Sequence, residues 1–384
     1  MRVLITGARA PVALDHARRF AAQGHTVFAA DSHSHRLTAS SRAVTRSFRL
    51  PPPRTAIAAF AGTLAGIIER ERIDLVLPTC EEVFYVSRAR SRLPAACNVF
   101  AAPFELLAEL HSKLRFTEIA RDCGVHVPAT TRVRSLAAAR ALTTGPIVLK
   151  PEFSRFGVHV RIYRDGIPAD APELPALGDW AAQELVAGRE LCSFSIAVRG
   201  ELRAHVTYEP AYRLARSSSF FFDPVENAAI RGFVATFVRK TTFTGQISFD
   251  WIESAAGRVS VLECNPRAIS GLHLFAPDAA LPAAIAGDST GGACDVRADA
   301  APRMISAVMT SAGLAQALRR GTFARWRRDY RRARDVLATP GDRSPLAGGL
   351  LDMAVFAASA LRRRSSVREA ATRDIEWDGE VLAP

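Results

Sequence analysis

Two short stretches decide the fold: Gly245-Gln246-Ile247-Ser248-Phe249-Asp250 and, with thirteen residues from that aspartate to its first residue, Glu263-Cys264-Asn265-Pro266-Arg267. Apolar residues alternate through both, so Gly245–Ile252 and Arg258–Cys264 read as adjacent antiparallel strands. Side chains alternate faces along a strand, so a hairpin that sets Asp250 opposite Glu263 also puts Asn265 on their face. Cys264 then points to the opposite, core face. Two carboxylates and an amide oxygen are hard donors, the kind that hold Mg²⁺ together with substrate phosphates. Arg267, cationic at every working pH, suits a phosphoryl or carboxylate oxygen beside them.

Upstream, Pro146-Ile147-Val148-Leu149-Lys150-Pro151 is a strand that ends in a lysine. Ser112 is a helix N-cap immediately before Lys113. Of the 50 basic residues only Lys113, Lys150 and Lys240 are Lys, and Asn occurs only at 98, 227 and 265. In an Arg-rich chain, a lysine or asparagine that persists is informative. Glu184 and Glu190 bracket the segment Glu184-Leu185-Val186-Ala187-Gly188-Arg189-Glu190. Cations for phosphates, acceptors for ribose hydroxyls and hard oxygen ligands thus occur in one order along the chain.

That order and spacing resemble the ATP-grasp superfamily, in its carbamoyl-phosphate-synthase-like and carboxylate–amine ligase branch, over about residues 1–290. The resemblance is carried by Ser112-Lys113, Gly124-Val125-His126-Val127-Pro128, the 146–151 strand, Gln183 to Val186 with Glu190, and Gly245 to Arg267. It implies that Lys113 and Lys150 reach the nucleotide phosphates, that Gln183, Glu184, Leu185 and Val186 receive adenine through their backbone, and that Glu190 accepts from the ribose. It further implies Asp250, Glu263 and Asn265 as magnesium ligands and Arg267 as the residue that steadies an acyl phosphate. Lys150 and Arg267 are the catalytic candidates. The loop after Lys150 departs from the family's glycine-rich pattern, reading Glu152-Phe153-Ser154-Arg155-Phe156-Gly157. Ser154 is carried over as a nucleotide contact, while Arg155 is read as a stand-in for missing backbone contacts or as a stiffener.

Toward the N-terminus, Val3 to Ile5, a helix periodicity over 13–21, Thr26 to Ala30, a second periodicity over 57–68 and Asp74 to Pro78 alternate as β and α units. An open, mostly parallel sheet is expected over residues 1–105. The turn Gly7-Ala8-Arg9-Ala10-Pro11-Val12 lacks the later glycines of a dinucleotide fingerprint, so Asp31 reads as a strand-end residue rather than a ribose acid. Glu81, after the Leu75–Pro78 strand, is open between substrate contact and helix capping. Arg213, Ser270 and His273 are candidates for the acceptor pocket. A capping box is expected at Asp223, Pro224 and Glu226.

The fold class expected is α/β: an N-terminal parallel-sheet domain (1–105), a two-lobed ATP-grasp core (106–292) and a C-terminal Arg-rich helical extension (293–384). The 384 residues are 48% hydrophobic and 23% charged, which excludes disorder and a small stapled scaffold. Six cysteines without C-x-x-C spacing suggest no structural zinc and a reducing, cytoplasmic setting. The formal charge of +12 is an Arg-rich composition rather than a nucleic-acid signature. In the extension, Phe323, Trp326 and Tyr330 interleave with arginines and are expected to dock on the core. Leu350 to Leu361 is apolar, but too short to span a bilayer and interrupted by Asp352.

The resemblance implies an ATP-dependent ligase that joins a small-molecule carboxylate to an amine through an acyl phosphate, with ATP and Mg²⁺ or Mn²⁺, no nucleic-acid partner, no membrane insertion, and room for a homodimer. The alternatives are an ATP-binding sensor or scaffold without turnover, and an ATP- and bicarbonate-dependent carboxylase.

Overall fold

A computed structural model describes residues 1–155, 157, 159–214, 218–287 and 293–382. Five parallel strands, β1 (Arg2–Thr6), β2 (Thr26–Asp31), β3 (Arg46–Arg49), β4 (Leu75–Leu77) and β5 (Asn98–Val99), lie in the order β3-β2-β1-β4-β5. Val3, Leu4 and Ile5 are fully buried on both faces of β1, as a central parallel strand requires. The strand order reverses between β1 and β4. In open parallel sheets that switch point leaves a crevice beyond the strand C-termini, where ligands bind.

A second sheet is antiparallel, from β6 (Thr130–Val133), β7 (Ile147–Pro151), β8 (Arg161–Tyr163) and β9 (Trp180–Glu184), in the order β6-β9-β7-β8. The third and largest is built on β10 (Arg189–Val198), β11 (Glu201–Leu214), β12 (Ser218–Val225), β13 (Gly245–Glu253) and β14 (Val259–Asn265). It is extended by β15 (Cys294–Asp295), β16 (Arg303–Met304) and β17 (Arg334–Asp335), with the path β14-β13-β10-β11-β12-β16-β17 and β15 beside β11. The Ala228–Lys240 helix covers this sheet through Phe233 and Phe237, which meet Phe249 edge to face. Segments after residue 293 are thus strands of the core sheet as well as helices.

The capping box is not formed. Asp223 and Pro224 stay in β12, opposite Glu209 and Tyr208, and Asp223 accepts from Arg332. The helix starts later, capped by Asn227, whose Oδ1 accepts from the Ile230 N–H at 3.1 Å. Pairing along the ladder outweighs the local cap. The alternation beginning at Val158 yields a strand only from Arg161; Phe156 and Val158 lie outside the described residues, as does the 292/293 boundary.

Leu350 to Leu361 is part of a longer helix, Ser344–Arg363, long and apolar enough by composition to cross a membrane. One face of it is docked. Buried Asp352 accepts from the Leu37 N–H at 2.8 Å and from Ser34, and Gly348 lies against the Arg36 carbonyl, where a Cβ would clash at 2.4 Å. Trp326 and Tyr330 pack beside Phe220, Phe221, Met304 and Met309, and the Trp326 indole donates to the Met309 carbonyl at 2.9 Å, while Phe323 stays exposed. The aromatic stripe docks as expected, apart from its first ring.

Candidate active site

The hairpin forms as its alternation requires. Asp250 pairs with Glu263 and Ser248 with Asn265, so the two carboxylates and the amide project from one face while Cys264 is buried on the other. Cys192, across β10, donates its thiol to Asp250 Oδ1 at 3.2 Å. Burial and the facing Glu263 carboxylate raise the Asp250 pKa. Against the cost of burial, the ammonium groups of Lys113 and Lys150 hold Glu263 ionised. Asp250 is therefore the carboxyl of the pair that takes up a proton first, as like charges in one site dictate.

Ser112 caps its helix, accepting from the Arg115 N–H at 3.1 Å, and so fixes the start of Lys113. The Lys113 ammonium, 4% exposed, donates to the Ser154 carbonyl at 2.7 Å and lies 3.8 Å from Glu263. Burial lowers its pKa to about 8. Lys150, at the end of β7, donates to Gln183 Oε1 at 2.9 Å. The Gln183 amide in turn donates to Thr130 at 3.1 Å, so this side chain orients the lysine. Glu190 is half exposed and ion-paired with Arg213.

Arg267 donates from Nε to Glu81 Oε1 at 2.6 Å and reaches Asn265 Oδ1 at 3.4 Å. Glu81 also faces Arg155 at 3.3 Å. Against burial, those two guanidiniums hold its pKa at about 2. Glu81 therefore does not cap the following helix: it lines the cavity and ties the end of β4 to the segment after β14.

Arg155 reaches further, to Glu376 at 3.2 Å and Asp378 at 2.9 Å, and donates to the Trp377 carbonyl. The Trp377 ring sits among Phe84, Phe104, His111 and Phe153. A C-terminal strap over 376–380 thus pins the glycine-poor loop. Nothing local in the sequence signals it, because its partners lie more than two hundred positions away.

One cavity of about 820 Å³ collects these groups, at the upper end of the range typical of small-molecule sites. Lys150, Ser154, Gln183, Glu184, Leu185, Val186 and Glu190 line it from the second sheet and the start of β10, and Asp250, Glu263, Asn265 and Arg267 from the third. Of the expected site residues, Lys113 is behind this lining, holding Ser154 and Glu263. Among the described residues no three His, Cys, Asp or Glu side chains form a ready metal cage. Two facing carboxylates and an amide nonetheless fit a hard divalent cation that keeps substrate phosphates as its other ligands.

No family model matches the chain, and no curated protein matches it in sequence. Solved structures do. N5-carboxyaminoimidazole synthetase from Staphylococcus aureus, complexed with ADP, superposes at a TM-score of 0.61 and 13% identity, over 82% of this chain and 86% of that one. L-amino acid ligase from Bacillus licheniformis gives 0.57 and 13%, over 75% of each chain. The biotin carboxylase domain of the Hydrogenobacter thermophilus 2-oxoglutarate carboxylase, with MgADP and bicarbonate, gives 0.59 and 13%, over 78% and 73%. With its parallel sheet, its smaller antiparallel sheet and the large sheet carrying the Asp250–Glu263 hairpin, this chain shares the fold of these solved structures, as the resemblance drawn from its sequence leads one to expect.

Proposed function

We propose that the protein is an ATP-dependent ligase that converts a carboxylate into an acyl phosphate and transfers it to an amine, releasing ADP and phosphate. The observation that carries this is a single cavity holding Lys150, the Asp250–Glu263–Asn265 face and Arg267 together. The likeness to the L-amino acid ligase supports the same reading. The division into residues 1–105, 106–292 and 293–384 belongs to it.

A carboxylate resists amines because its charge is delocalised and its oxygen leaves poorly. Phosphorylation removes both obstacles. The protein's task is then positioning and electrostatics. The backbone of Gln183 to Val186 receives the base, and Glu190, once it exchanges Arg213 for ribose hydroxyls, fixes the sugar. Lys150, oriented by Gln183, and Lys113 place point charges on the phosphates. Mg²⁺ or Mn²⁺ held by Asp250, Glu263 and Asn265 would neutralise phosphate charge. Arg267, braced by Glu81, steadies the acyl phosphate oxygens, and the strapped 152–157 loop keeps water from the intermediate.

Incubation with ATP, Mg²⁺, candidate acids and hydroxylamine should give a hydroxamate with ADP and phosphate. ¹⁸O from the carboxylate should appear in the phosphate. AMP and pyrophosphate, or phosphate without label, overturns the route in favour of adenylation. The biotin carboxylase likeness favours a second reading, ATP-dependent carboxylation, for which ADP release would require bicarbonate.

A further inference from the structure

The cavity is longer than its nucleotide-facing part. Past Arg267 it continues to the β1/β4 switch point, reaching Arg9–Val12 and Cys80. Its walls there change character. Val12, Phe222, Ile305, Phe356 and Ile375 line it, and the last three come from the chain beyond residue 300. Phe356 belongs to the Ser344–Arg363 helix, and Ile375 follows the Val367–Thr372 helix. Both are nearly buried, at 6% and 3% exposed.

These C-terminal elements are fastened to the same crevice. The Arg9 guanidinium donates to the Ala371 carbonyl at 2.5 Å and to Asp374 at 2.7 Å, and Phe356 packs edge-on against His33 after β2. Thr372 donates to Glu376, itself 3.2 Å from Arg155, so this wall is also wired to the loop beside Lys150.

The charged groups at this end are already spoken for. Each Arg9 donor nitrogen is held by Asp31, Asp374, Ser32 or the Ala371 carbonyl. His273 is bound to Asp15 at 2.7 Å, and burial raises the Cys80 thiol far above its ordinary value, keeping it neutral. An ionic group brought in here would lose its hydration without gaining a partner, whereas a hydrocarbon group would gain by leaving water.

We propose that this end is the acceptor subsite for the acid to be activated, and that it selects carboxylic acids with an aliphatic or aromatic body. The carboxylate lies toward Arg267 and the phosphates, and the apolar body lies against Phe356 and Ile375. The C-terminal helices are then a specificity wall. This rests on the ligase reading above, to which it adds the substrate class.

The test uses the full chain with ATP, Mg²⁺ and hydroxylamine, against 4-methylpentanoate, 3-phenylpropanoate, L-leucine, L-phenylalanine, L-aspartate, succinate and bicarbonate. Apolar acids should exceed succinate and aspartate in kcat/KM by about 10-fold or more, the scale on which hydrophobic pockets discriminate. Phe356→Ala should shift preference toward bulkier acids, and Ile375→Asp should remove the apolar preference, with the KM for ATP unchanged in both. If either fails to bind ADP and so is misfolded, Phe356→Leu and Ile375→Thr replace them, with smaller shifts in the same direction. Turnover confined to succinate, aspartate or bicarbonate, or wall variants that leave acid KM values untouched, overturns the subsite while leaving ATP chemistry standing. Silence with every acid overturns the ligase reading instead. In that case calorimetry decides the subsite: 3-phenylpropanoate should bind the wild type with Mg·ADP present and not Ile375→Asp, and equal or absent binding to both overturns it.

Discussion

Arg267 donates to Glu81 across 2.6 Å, joining the segment after β14 to the turn after β4 through a pair in which Glu81 is almost wholly buried. Arg155 approaches the same carboxylate at 3.3 Å. One anion therefore holds the arginine assigned to the acyl phosphate and the arginine of the loop. Glu81→Ala takes a buried counter-charge from both guanidiniums, Arg155 keeping Glu376 and Asp378, and breaking such a buried pair typically costs about 3–5 kcal/mol. Urea unfolding should show a loss of that order. A loss below about 1 kcal/mol would mean that the arginines find water or other partners, and that Glu81 does not brace the site.

Glu263→Gln should behave differently. The amide keeps the size and hydrogen-bonding capacity of the side chain beside Asp250, so melting should stay near wild type. It also removes a negative ligand from the face offered to Mg²⁺, and Mg·ATP turnover should fall by several orders of magnitude. ADP release and thermal denaturation on the same preparation check both halves. An active variant would overturn the metal assignment.

Lys150 is compared with Lys240, which is half exposed, pairs with Asp122 at 3.4 Å and does not line the cavity. Lys150→Ala should raise the ATP KM and lower kcat, while Lys240→Ala should do neither. Initial rates over a range of ATP concentrations give the answer, and equal effects from both would defeat the lysine argument.

What was legible in the sequence follows how far apart the cooperating residues are. Asp250, Glu263 and Asn265 sit on one hairpin, with Arg267 just beyond it, so alternation and a thirteen-residue spacing suffice to place the first three on one face. The Asp223–Glu226 box looked equally local, yet β12 consumed its first two residues, because ladder pairing with Glu209 and Tyr208 is decided elsewhere in the chain. Arg155 was marked as an anomaly in a loop expected to be glycine-rich, but its partners are 222 and 223 positions away, at Trp377 and Asp378. No periodicity encodes such a contact. Likewise Phe356 looked like part of a short apolar run, and only the docking of its helix through Asp352 brings it to the cavity wall.

The strap gives its own test. Trp377 is 4% exposed, and truncating a buried tryptophan typically costs about 3–5 kcal/mol. Trp377→Ala should also loosen the 152–157 loop, since Phe153 packs edge-on against that ring and Arg155 is held by the neighbouring carboxylates. Hydrogen exchange should rise in that loop first. Unchanged protection there would show that the loop is held without the strap.

The last expectation concerns acid. Burial lowers the pKa of His16 and His205 from 6.5 to about 4, and that of His111 to about 3. His16 is packed on Gln246 at 2.7 Å, and His205 between Ser195 and Thr207, so each is folded in its neutral form. Between pH 6.5 and about 4.5 the unfolded chain binds protons at these positions and the folded chain does not. Stability must therefore fall as pH falls, by about 1.4 kcal/mol per pH unit for each histidine. Below about 4.5, Glu81 adds to the loss, because it stays ionised in the fold and is protonated in the unfolded chain. Urea unfolding at pH 7.0, 6.0 and 5.0 should give a steepening decline, partly offset by the raised Asp250 carboxyl, which takes up its proton in the fold first, and His16→Gln should make the decline shallower above pH 4.5. A flat stability across that interval would mean that these histidines are hydrated in the folded protein.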